Sequence, residues 1–142
     1  MRDVEQPPRF AADRMLKRLA RWLRLMGADV ICDDSASGAE TLRVARAEGR
    51  PMLTRDKRLR TASDVLYVES HLFRDQIREV MQHYPFDPSR WAFTRCSFCN
   101  ELLRSVPREA LVRRVPPFVY ATHESFAVCE RCGARSLGRQ PR

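Results

Sequence analysis

The sequence predicts an α/β unit, a parallel sheet covered by helices, followed by a small ribbon organised by four cysteines. Three observations predict it. Within residues 8–87, short apolar runs alternate with longer stretches of helical period, the pattern of linked strand–helix units. Acidic residues follow three of those apolar runs. Residues 88–136 then carry two C-x-x-C pairs, Cys96 with Cys99 and Cys129 with Cys132. Residues 1–7 and 137–142 are expected to be flexible tails.

Taken in order, residues 10–12 form a short apolar run and the first strand. Over residues 15–26, Met15, Leu16, Leu19, Ala20, Trp22, Leu23 and Met26 recur at helical spacing, and Gly27 stops the helix. Residues 29–32 give a second strand, ending at Cys32, which is expected to pack as a small hydrophobe. Residues 39–48 read as a helix closed by Gly49, residues 51–54 as a third strand and 65–68 as a fourth. Over 72–84, Leu72, Phe73, Ile77, Val80, Met81 and Tyr84 fall at helical spacing before Pro85.

The chain has 142 residues, 44% hydrophobic and 31% charged. That suits one compact domain, or a domain of about 90 residues with a small appendage. No apolar run approaches the ~18 residues of a membrane span. The opening MRDVEQPPRF lacks the apolar core of a secretory signal. A cytoplasmic location is expected, so the cysteines need an explanation other than stable disulfides. The net charge of +8 is uneven. Residues 1–87 hold 16 Lys/Arg against 14 Asp/Glu, a net +2, whereas residues 88–142 hold 10 against 4, a net +6. Such a surplus is either solvated surface or the footprint of a polyanion, with nucleic acid the favoured partner.

The cysteine pairs read C-S-F-C-N and C-E-R-C-G. Two intervening residues let both thiolates of a tight turn face one ion. The residue after each pair, Asn100 or Gly133, is of a type that tolerates positive φ. A redox C-x-x-C opens a helix in a βαβ context, whereas these pairs lie among Pro, Arg and Ser. The reading is a structural zinc ion on Cys96, Cys99, Cys129 and Cys132, closed to substrate and serving folding. The 29 residues between the pairs must hold structure of their own, with strands expected at 118–120 and 126–128.

On the first helix Arg14, Lys17, Arg18, Arg21 and Arg24 fall in a stripe about 120° wide, opposite the apolar side. Five cations without an acid repel one another, which points to a polyanion contact. The acids point the same way. Asp13 follows the first apolar run, Asp33 and Asp34 the second, and Asp56 follows P-M-L-T-R. They therefore fall at the C-terminal ends of three candidate strands, the edge where an open parallel sheet binds ligands. Glu40, early in the next helix, can reach the same place. Converging acids repel unless a cation neutralises them. Magnesium or manganese, held by carboxylates and water, is the matching ion and supports phosphodiester hydrolysis. Taken singly, each Asp also suits a plain cap or turn.

The stretch ADRMLKRLARWLRLMG, the D-D pair after it and RPMLTRD resemble the PIN-like ribonuclease family named for the Mut-seven C-terminal domain. The later RVPPFVYATHESFAVCERCG resembles the zinc-ribbon half of the same family, so the likeness runs from about residue 10 to residue 133. The resemblance implies a PIN-like fold, a magnesium-type acidic site and RNA as substrate. By motif it carries over Asp13 and Asp56, Asp33 or Asp34 from the pair, and Arg55 of T-R-D as a phosphate or carboxylate partner. Similar proteins often have Gly-Lys where this chain has Lys17-Arg18. They also tend to have an acidic cluster where this chain has S-A-S-G-A-E, leaving Glu40.

The combined expectation is a metal-dependent ribonuclease. Asp13, Asp34, Glu40 and Asp56 would hold one or two ions, with Asp33 the other candidate of the pair. Arg55 with Lys17 or Arg18 would steady the scissile phosphate. Arg14, Lys17, Arg18 and Arg21 on the first helix, and Arg108, Arg113 and Arg114 in the ribbon, would grip the RNA backbone. The alternative is a non-catalytic RNA-binding adaptor of the same fold. A receiver domain fits poorly, because its paired acids follow the first strand.

Overall fold

The computed structural model describes residues 6–122 and 125–137. Apart from residues 6, 7 and 137, the expected tails lie outside the described residues. Four parallel strands form the main sheet: β1 (Arg9–Ala12), β2 (Asp29–Ile31), β3 (Met52–Thr54) and β4 (Val65–Tyr67), in the order β2-β1-β3-β4. Phe10 lies opposite Val30, Ala11 opposite Met52 and Leu53 opposite Leu66. Phe10, Ala11 and Ala12 are all buried, as befits a central parallel strand covered on both faces.

The strand period sends alternate residues to opposite cores. Phe10 and Ala12 pack with Leu16, Leu19, Leu23 and Val80, beneath α1 (Lys17–Leu25) and α3 (Phe73–His83). Ala11 packs with Leu42, Ala45 and Met52, beneath α2 (Gly38–Glu48) on the other face. Cys32 joins the first core as a partly buried hydrophobe, as expected. Local sequence sets the helix ends. Ser37 and Glu40 form a reciprocal capping box, and Gly49 closes α2.

After α4 (Pro88–Trp91) comes a second sheet of antiparallel strands, β5 (Arg104–Val106), β6 (Phe126–Val128) and β7 (Arg135–Leu137), in that order. The strand at 126–128 is as expected. Residues 118–120, expected as a strand, instead lie in the short helix α5 (Pro117–Thr122). Pro117 at its first position fixes a helical φ, and the Tyr120 amide donates to the Pro116 carbonyl at 3.0 Å. That local start outweighs the β preference of Phe118, Val119 and Tyr120.

The cysteine-bearing part is built onto the main sheet. Gly27 has φ 105°, and a Cβ there would lie 2.2 Å from Trp91 Cβ and 2.4 Å from its carbonyl oxygen. Only glycine lets α4 lie directly on the end of α1. The Phe93 amide donates to Leu25 O at 3.0 Å beside it. A second tie is at β2, an edge strand. The Val30 amide donates to Asn100 Oδ1 at 3.0 Å, and the Val30 carbonyl accepts from Arg24 Nε at 2.9 Å. Arg24 also donates to the carbonyls of Ser97 and Phe98, at 3.0 and 3.3 Å. The turn carrying Cys96 and Cys99 thus occupies the position a neighbouring strand would fill.

Candidate functional site

Four thiols form one cluster. One ligand atom from each of Cys96, Cys99, Cys129 and Cys132 lies within 4.8 Å of every other, the only such group of three or more ligating side chains among the described residues. Cys96 and Cys132 sulfurs are 3.7 Å apart. Tetrahedral ligation at ~2.3 Å gives sulfur–sulfur distances near 3.8 Å, so the cluster fits a metal such as zinc.

Two matching turns build it. The amides of Asn100 and Gly133 donate to the carbonyls of Cys96 and Cys129, at 2.9 and 2.8 Å. The amides of Cys96 and Cys129 in turn donate to Glu101 O and Ala134 O, both at 2.8 Å. This closure needs a left-handed residue after each pair, and Asn100 has φ 67° and Gly133 φ 77°. The Ala134 amide draws the Cys132 thiol down to about 7, while hydrogen bonding with Cys132 pushes Cys99 up to about 12. Four thiolates this close cannot all ionise without a cation between them.

A second site lies at the C-terminal edge of the main sheet. Asp13 follows β1 and Asp56 follows β3, neighbouring strands. Asp13 is 4% exposed. Its Oδ1 accepts from the Met15 amide at 3.2 Å, and its Oδ2 accepts from the Thr54 hydroxyl at 2.8 Å. Thr54 Oγ1 also accepts from the Asp56 amide at 2.9 Å, so one hydroxyl links the two acids. A Cβ built on Gly38 would stand 3.1 Å from Asp56 Oδ2 and 3.9 Å from Asp13 Oδ2. Both carboxylates therefore face the start of α2. They line a cleft of about 410 Å³ with Arg14, Gly38, Arg55 and Lys57. Hydrogen bonds from Arg58 hold Asp56 below the usual carboxylate range.

The other acids expected here have different partners. Asp33 Oδ1 accepts from the Ser35 hydroxyl and amide, at 2.7 and 2.9 Å, which lowers its pKa. Asp34 pairs with Lys17 at 2.6 Å. Asp33 and Asp34 line a separate cleft between the end of β2 and the Cys99 turn. Glu40 accepts from the Ser37 amide in the capping box, and that bond lowers its pKa. Arg55 donates to the carbonyls of Val68, Glu69 and Ser70 and thereby fixes the segment after β4.

The basic residues divide. Arg14, Arg18 and Arg21 are exposed along α1 and its first turn, as are Arg113 and Arg114 in the ribbon. Arg108 is half-buried, with its guanidinium donating to Tyr120 O at 2.7 Å and lying 4.2 Å from the Tyr120 ring centroid. Arg24, assigned to the basic stripe by its angle, is instead buried in the junction. Met15 and Trp22, assigned to the apolar side, are 63% and 42% exposed. Sequence reasoning missed Thr54, and it marked Asn100 for its backbone conformation while missing its side-chain bonds to Val30 and Asp29. Thr54 had a signal, as the one polar residue ending an otherwise apolar strand.

The Mut7-C RNAse domain family model matches residues 8–135. No curated protein and no solved structure matches the chain. No helix among the described residues is long and apolar enough to cross a membrane.

Proposed function

We propose, since the chain belongs to the Mut7-C RNAse domain family, that it is a divalent-metal-dependent ribonuclease whose ribbon is held by zinc. The observation that carries the catalytic half is the pair Asp13 and Asp56, linked by Thr54 and facing one cleft at the C-terminal sheet edge. Magnesium commonly binds through one or two carboxylates, with waters and substrate phosphate completing its shell. Two acids therefore fit such an ion, and Asp33 or Asp34 need not complete the set. When bound, magnesium or manganese supplies a hydroxide nucleophile and neutralises charge on the phosphate. Thr54 holds the Asp13 carboxylate oriented by donating to Oδ2. Arg14 and Lys57, exposed at the rim, attract the phosphate. The exposed Arg113 and Arg114, with Arg108, add backbone contacts from the ribbon.

One observation favours the adaptor reading. Asp56 is already paired with Arg58 at 3.0 Å, so a metal must compete with that guanidinium. The Arg58 side chain is 88% exposed, and surface pairs of this kind are weak. A cleavage assay on labelled RNA with magnesium or manganese separates the two readings. Asp13→Asn should lower the rate by about 100-fold or more while RNA binding persists, because loss of a metal ligand costs several kcal/mol in the transition state. Wild-type protein that binds RNA and never cuts it would leave the adaptor. Equal cutting by both proteins would remove Asp13 from the site.

A further inference from the structure

The outward face of α1 carries flat groups as well as charge. The Arg18 guanidinium lies over the Phe73 ring at 4.0 Å from its centroid. Trp22 stacks on the same ring, with centroids 5.5 Å apart and planes at 20°. Arg21 lies over Phe98 at 4.3 Å. Phe98 is 61% exposed and Trp22 42% exposed. Arg18 and Arg21 are three residues apart, ~4.5 Å along the helix and ~60° around it. The two guanidinium–aromatic pairs therefore share one surface, reaching from α3 on one side to the Cys99 turn on the other. Among the described residues no acid pairs with Arg14, Arg18 or Arg21.

Resting on the ribonuclease reading above, we propose that this face is a base-stacking site, where unpaired RNA bases lie against Phe98 and Trp22 between the arginines. Phosphate alone would call for charge and would gain nothing from exposed rings. An apolar protein partner would be poorly matched to a face with three cations that no acid neutralises among the described residues. A single strand offers both parts, π-faces for Phe98 and Trp22 and phosphates for the arginines. The direction also fits. Asp13 caps the short turn that leads into α1, and Arg14 lines the Asp13–Asp56 cleft. A strand lying along α1 therefore ends at the acids. A duplex keeps its bases stacked inside, away from exposed rings.

The test uses the full chain without added magnesium and a labelled mixed-sequence twelve-nucleotide RNA, alone or annealed to its complement. The single strand should bind at least ~10-fold tighter than the duplex. Phe98→Ala should weaken single-strand binding about 5- to 150-fold, with no change in salt slope, because the ring carries no charge. Phe98→Trp should restore it at equal zinc content, which separates stacking from damage to the adjacent turn. Single-stranded RNA should quench tryptophan fluorescence in the wild type and not in Trp22→Phe. Equal or tighter duplex binding, or unchanged affinity in Phe98→Ala, would overturn the stacking face and leave the ribonuclease reading standing. Protein that binds neither RNA form would overturn both.

Discussion

Replacing Asn100 with alanine tests whether the first cysteine turn and the main sheet are one cooperative structure. The side-chain orientation follows from its neighbours: the Val30 amide needs an oxygen, and the Asp29 carboxylate needs a donor. Asn100→Ala leaves the Val30 amide without its acceptor at 3.0 Å, a loss of about 1–3 kcal/mol. It also removes the bond from Nδ2 to Asp29 Oδ1 at 2.6 Å. A hydrogen bond to a charged group is worth about 1.5–3 kcal/mol, and the low end applies because Arg50 still holds Asp29 at 3.0 Å. The left-handed φ of 67° adds about 1 kcal/mol for alanine. The whole comes to about 3.5–5.5 kcal/mol. A domain of this size loses about 3 °C of melting temperature per kcal/mol, so the expected drop is roughly 10–15 °C. Asn100→Gly keeps the backbone conformation and should fall less. Thermal unfolding followed by circular dichroism, with zinc release to a coloured chelator, reads both ends of the junction. An Asn100→Ala melting temperature within ~2 °C of wild type would refute the coupling.

Three further outcomes follow from the same structure. Purified protein should carry about one zinc per chain, and chelation should unfold the ribbon, because structural zinc contributes folding free energy directly; elemental analysis and circular dichroism check this. Burial pushes the Asp29 carboxyl up, but hydrogen bonds from Arg50 and Asn100 outweigh it and hold it below its ordinary value. Its stabilising contribution is therefore present above the unfolded value of ~3.9 and lost as pH falls through the folded value, so Asp29→Asn should flatten the stability curve in that acid range. Arg113→Ala with Arg114→Ala should lower the salt slope of RNA binding by about one to two units, measured by titration at several ionic strengths.

The parallel sheet was legible because its strands are short apolar runs, the first three separated by stretches of helical period. Gly49 and the Ser37–Glu40 box mark their helix without any tertiary information. The thiol cluster was legible from spacing, and the residue types of Asn100 and Gly133 marked the backbone bend. Angular position on a helix served less well. It put Arg24 among the solvent cations, because a helical wheel has no knowledge of a later segment arriving against that side. It put Trp22 in the core, whereas Trp22 stacks on Phe73 at the surface and stays 42% exposed. The helix at 117–122 escaped because its residues prefer strands and only Pro117 argued otherwise. The pairing of Asp13 with Asp56 could be guessed from strand ends. Whether Asp33, Asp34 and Glu40 turn toward them depends on local bonds to Ser35, Lys17 and Ser37, which outcompete convergence.

The bonds at Val30 have a consequence for the chain outside its folded state. An edge strand with free main-chain groups is a template on which another polypeptide can add by strand pairing. Here Arg24 and Asn100 fill that template, and the Asn100 end of the cover is held in shape by the thiol cluster. On the zinc reading proposed above, a cell short of zinc would do more than loosen a ribbon: it would free the Val30 amide on the edge strand, while Arg24 still holds the Val30 carbonyl, and the metal-free protein should aggregate more readily than the zinc-loaded one.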